Sequence, residues 1–104
     1  MKRVAFKMKL FKDKEAEYKR RHDAIWPELT QLLQEKGITE YSIFLDAETG
    51  SLFGFLKIPD PARIHELPAH PIMRKWWAYM KDIMECNPGD APVSTSLEEV
   101  FYMP

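Results

Sequence analysis

The stretch "YKRRHDAIWPEL", Tyr18 to Leu29, sets a tyrosine, a histidine and a tryptophan at four-residue steps: Tyr18, His22 and Trp26. On a helix, such steps line side chains along one face. Tyrosine and tryptophan each carry an apolar body with a polar tip, and histidine titrates near neutrality. An apolar wall with a few converging polar tips suits a small neutral ligand. His22 adds a group able to give or take a proton there. On pattern alone, an interior histidine with satisfied partners is the competing reading.

"WW" at Trp76 and Trp77 is the second candidate wall. Helical phase puts Trp76 inside an apolar stripe and Trp77 near its edge, where a ring face stays open to the C–H face of a sugar. Plain edge packing is the alternative.

Other chemistries find less support. His65, Glu66 and His70 lie in a segment broken by Pro68 and lack the spacing of a metal site, so no metal is expected. Gly37, Gly50, Gly54 and Gly89 are scattered, so no phosphate cradle and no nucleotide cofactor is expected. Cys86 is the single cysteine and has no activating neighbour, which reads as an inert thiol in a reducing cytoplasm. Charges nearly cancel, 15 Lys+Arg against 16 Asp+Glu, which leaves no footprint for nucleic acid or an anionic membrane. "KRR" at Lys19 to Arg21 reads as a solvated face. No signal-peptide pattern opens the chain, and no apolar run reaches membrane-spanning length.

The elements that must position these residues follow from periodicity. "RVAFKMKL", residues 3–10, alternates with period two and predicts a strand with one buried face. From Asp13 to Lys36 the period becomes helical, with Tyr18, His22, Ile25, Trp26, Leu29, Leu32 and Leu33 in one stripe. Pro27 lies opposite that stripe, as a kink or a fresh helical start, and Gly37 predicts a left-handed stop. "EYSIFLD" and "SLFGFLKI" predict two strands joined by "AETG". "PIMRKWWAYMKDIM", opening on Pro71, predicts an amphipathic helix, and "LEEVFYM" a last strand.

The order β-α-β-β-α-β predicts one ferredoxin-like α+β domain over 1–104, with helices on one face of a four-stranded antiparallel sheet. Phe44, Phe53, Phe55, Phe101 and Met103 crowd the other face, which two helical segments cannot also cover. A second copy is the simplest cover, giving a homodimer.

"RRHDAIWPEL", "WWAYM" and "PVSTSLEEVF", with the length and element order, resemble the L-rhamnose mutarotases. These are sugar epimerases of the dimeric α+β barrel type, and the resemblance spans essentially the whole chain. It implies interconversion of the α and β anomers of L-rhamnose, in the cytoplasm, by a homodimer that uses no cofactor or metal. His22 matches the catalytic acid of the "RRH" motif; Tyr18, Tyr41, Trp76 and Trp77 match the sugar-contacting residues. The loop "NPGDAPVS" departs from the family, with Gly89-Asp90-Ala91 where a more polar run is expected. Barrels of this class also serve cofactor-independent monooxygenases and non-catalytic sugar-binding modules, and fold alone does not choose among them.

Overall fold

The computed structural model describes residues 1–104. Strand β1 runs Lys2–Lys9, helix α1 Glu15–Asp23, helix α2 Pro27–Glu35, strand β2 Thr39–Asp46 and strand β3 Ser51–Ile58. A 3₁₀ segment, Pro61–Ala69, leads into helix α3, Pro71–Met80, and strand β4 is Thr95–Leu97. The sheet order is β2-β3-β1-β4 with every pair antiparallel, the predicted ferredoxin-like arrangement.

The helical stretch from 13 to 36 is two helices, so its apolar stripe is not continuous. The residue before a proline is driven out of helical backbone, and Trp26 is extended at φ −64°, ψ 132°. Its carbonyl then accepts from the Leu29 and Thr30 amides, with Pro27 as the first residue of α2. Gly37, at φ 87°, closes that helix as predicted: its amide donates to the Gln34 carbonyl and that of Ile38 to the Leu33 carbonyl.

Period two in β1 and β3 sorts the two faces. Met8, Leu10, Leu52, Leu56 and Ile58 are buried beneath the helices, with Leu29, Leu32, Met73, Trp76 and Met80 packed above them in one core cluster. Gly54 shares that inner face because an added Cβ would stand 2.3 Å from the Phe6 ring lying over it.

The outer face is as apolar as expected, but its composition differs. Phe44, Phe53, Phe55, Ala5 and Leu97 lie side by side in register. Phe101 and Met103, expected on the last strand, are not on the sheet. Only Thr95–Leu97 pair with β1, and Glu98–Pro104 leave it. This tail is tied back by Arg3, whose Nε donates to Glu99 Oε1 at 2.7 Å and whose guanidinium lies 3.4 Å from the Tyr102 ring centroid. No helix is long and apolar enough to cross a membrane.

Candidate active site

Between the helices and the inner sheet face lies an open cleft of about 1470 Å³. That is above the roughly 300–1,000 Å³ of ordinary small-ligand pockets, so a single sugar would fill only part of it. Tyr18, His22, Tyr41, Trp76 and Trp77 all line it, although they come from α1, β2 and α3.

Helix α1 sets the first pair. The rings of Tyr18 and His22, one turn apart, stack at 4.2 Å between centroids. His22 Nδ1 lies 3.0 Å from the Tyr18 carbonyl. A carbonyl only accepts, so Nδ1 carries the proton and Nε2 keeps its lone pair. Burial lowers the imidazole pKa from 6.5 and outweighs the opposing pull of that hydrogen bond, so the ring is neutral at pH 7.

Tyr41 reaches the cleft from β2. Its edge-to-face partner is Phe6, with ring centroids at 6.2 Å. It lies close enough to Tyr18 for its charge to be felt at the Tyr18 phenol. Surrounding protein pushes the Tyr41 phenol up to about 12 even though the open cleft leaves its ring partly accessible. Burial, and after it Tyr41, raises that of Tyr18 as well. Both phenols therefore stay protonated near neutral pH and are hydrogen-bond donors.

Helix α3 supplies the wall. Trp76 is 6% exposed and meets the His22 ring edge-on at 5.4 Å. Trp77 is half-buried at the cleft surface, as its place at the stripe edge predicts. Trp26 does not join the site. The break before Pro27 turns it onto Trp76 at 5.1 Å and Tyr79 at 5.5 Å, outside the cleft lining.

Two further residues run against the sequence reading. His65, set aside as part of a proline-broken segment, stands at the cleft edge, because the 3₁₀ segment folds back toward α3. Arg21, read as part of a solvated run, is 8% exposed, while its neighbours Lys19 and Arg20 face water. Acidic partners at helical spacing were the available signal: hydrogen bonds from Arg20 and Arg21 hold the Glu17 carboxyl down to about 2. Glu66 is paired with Lys36 at 2.6 Å, and no three His, Cys, Asp or Glu side chains converge as metal ligands.

A helix-backed antiparallel sheet, with one imidazole and a wall of rings lining the cleft between its layers, defines a protein of the ferredoxin-like α+β class with a candidate small-molecule site. Over residues 3–103 the chain matches the family described as L-rhamnose mutarotase. An L-rhamnose mutarotase from Agrobacterium fabrum is 57% identical over 96% of this chain and 94% of its own length. One from Rhizobium johnstonii is 55% identical over the same shares. The crystal structure of an L-rhamnose mutarotase from Formosa agariphila superposes at a TM-score of 0.93, with 52% identity and all of both chains covered. A Mycobacterium tuberculosis protein at 18% identity and a TM-score of 0.60 shares the fold alone. The chain belongs to the L-rhamnose mutarotase family.

Proposed function

We propose that this chain interconverts the α and β anomers of L-rhamnose, with His22 moving the proton and Tyr18, Tyr41, Trp76 and Trp77 holding the sugar. The observation that carries the reading is the division of labour on the His22 ring. Nδ1–H is spent on the Tyr18 carbonyl, so Nε2 is the free basic nitrogen of a ring that lines the cleft.

The chemistry asks for little more. Neutral His22 takes the proton of the anomeric hydroxyl at Nε2. The C1–O5 bond breaks, a C1 carbonyl forms, and the imidazolium delivers the proton to the ring oxygen. The aldehyde turns about its C1–C2 bond, and the same transfers in reverse close the ring on its other face. Atoms and charge balance with no redox step. The raised phenols of Tyr18 and Tyr41 donate hydrogen bonds to the oxygen on which charge develops. One positioned acid or base of this kind contributes about 10²–10⁴-fold. Trp77 offers its ring to the sugar's C–H face.

A single domain, a homodimer and a cytoplasmic site of action belong to the same proposal. The one core cluster supports the first, the apolar outer sheet face the second, and the lone free thiol, Cys86, the third. The deciding experiment is NMR saturation transfer between the two anomers of L-rhamnose, with and without the protein. Faster exchange is expected. Sugar binding with no change in exchange would make the chain a binding module instead.

A further inference from the structure

Helix α1 carries the proposed proton-transfer residue yet has almost no apolar face of its own. Of its nine residues, "EAEYKRRHD", only Tyr18 and Arg21 are buried. Tyr18 faces the cleft, which leaves Arg21 as the side chain that anchors the helix elsewhere. It is also the only buried charged side chain in the chain.

All three guanidinium nitrogens are engaged. Nε donates to Glu17 Oε2 at 2.6 Å, one turn back on the same helix. Nη1 donates to the Tyr79 carbonyl at 2.6 Å and to Asp82 Oδ1 at 2.9 Å, and Nη2 to Asp82 Oδ2 at 3.2 Å. The guanidinium also lies 4.4 Å from the Tyr79 ring centroid. The Tyr79 carbonyl is in the last turn of α3, where backbone oxygens lack helical partners and a cation is favoured. Arg21 therefore joins α1 to the C-terminal end of α3 by a two-pronged contact, which fixes orientation as well as distance. Those two helices carry His22 on one side and Trp76 and Trp77 on the other.

We propose that Arg21 is a positioning residue: its clamp on the Tyr79 carbonyl and Asp82 sets the direction of His22 Nε2 toward a sugar held at the tryptophans. The proposal rests on His22 being the proton-transfer residue. His22 follows Arg21 directly in the chain, so a slip of the clamp moves the imidazole against Trp76, its neighbour at 5.4 Å. A misplacement of about 1 Å costs on the order of 10²-fold in rate when proton transfer depends on alignment.

Two substitutions test it. Arg21→Lys keeps the charge and loses the fork. Asp82→Asn removes one prong from a side chain that is 63% exposed, so the fold should stay intact. Anomer exchange by NMR gives kcat and KM, and ¹⁵N spectra of the imidazole report the tautomer and surroundings of His22. Arg21→Lys should lower kcat about tenfold or more with KM held within about twofold, and Asp82→Asn about threefold or more. Both should shift the His22 ring nitrogens, and the double variant should be no worse than Arg21→Lys alone.

Folded Arg21→Lys with kcat within about twofold of the parent overturns the proposal. So does a lost rate with unmoved His22 resonances. If Arg21→Lys does not fold, Asp82→Asn decides by the same two readings. His22→Asn run alongside separates the failures: if it keeps its exchange rate, the reading of His22 falls, and the role of Arg21 with it. If it is inactive while the Arg21 and Asp82 variants are normal, only the positioning role falls.

Discussion

At the residue scale, burial of the His22 imidazole has a sign that experiment can read. Its folded pKa lies below the unfolded 6.5, so between those values the unfolded chain binds more protons than the folded one. Stability from this group is then fully present above 6.5 and is lost as the pH falls through the folded value. The exchange rate should fall over the same acid range, because in the proposed mechanism ring opening begins with neutral Nε2. An exchange rate that never falls on the acid side of 6.5, over the whole range in which the protein stays folded, would remove His22 from the proton transfer. His22→Asn keeps approximate size and one donor, should stay folded, and should lose about 10²-fold or more of the exchange rate. The tryptophans part company under truncation. Trp76→Ala opens a cavity in the core and should cost about 3–5 kcal/mol by denaturant unfolding. Trp77→Ala, at the cleft surface, should weaken rhamnose binding far more than it lowers stability. Rhamnose should change the emission of the parent protein, and an unchanged emission would count against the stacking role.

At the scale of elements, the cleft depends on a glycine that no ligand would touch. Gly54 leaves room for the far end of the Phe6 ring over β3, and Phe6 in turn stands edge-on to Tyr41 of β2. A methyl group at position 54 forces the ring aside and removes the support of Tyr41. Gly54→Ala should destabilise the fold by about 1–3 kcal/mol, the usual cost of overpacking. It should also raise KM for L-rhamnose more than it lowers kcat, since the proposed mechanism gives Tyr41 the holding of the sugar and His22 the proton transfer. Thermal unfolding and the exchange kinetics measure the two effects separately, and a KM equal to the parent's would mean that Phe6 yields without disturbing Tyr41.

At the scale of the whole molecule, one sheet face is covered and the other is bare. Phe44 is 67% exposed and Phe101, on the tail, 76%. A contiguous apolar face of this kind is commonly an interface, and a self-complementary one closes as a two-fold pair. Sedimentation at micromolar concentration should therefore give twice the chain mass. Phe55 lies between Ala5 of β1 and Ser42 of β2 in the middle of that face. Phe55→Glu would bury a charge without a partner in such a pair and should yield a monomer or an unfolded chain. A dimer that survives Phe55→Glu would place the contact elsewhere.

What the sequence determined by itself was local. Period-two alternation marked β1 and β3, Gly37 and Pro71 marked a helix end and a helix start, and four-residue spacing put Tyr18 and His22 on one helix face. Each depends on residues within a turn or two of one another, where propensity and period act directly. Tertiary structure decided what depends on partners far along the chain. Local spacing offers Arg21 only Glu17, four residues back, whereas the acceptors that bury it, the Tyr79 carbonyl and Asp82, lie 58 and 61 residues away, beyond any local pattern. Trp26 leaves the cleft because the break before Pro27 redirects it toward α3. The last strand stops at Leu97 because β1 pairs with it only as far as Ala5, and the next residues find Arg3's side chain instead. Tyr41 joins Tyr18 and His22 because the β2-β3-β1 order brings a strand distant in sequence beneath α1. Periodicity states which way a side chain faces along its own element; only the packing of elements supplies what it meets there.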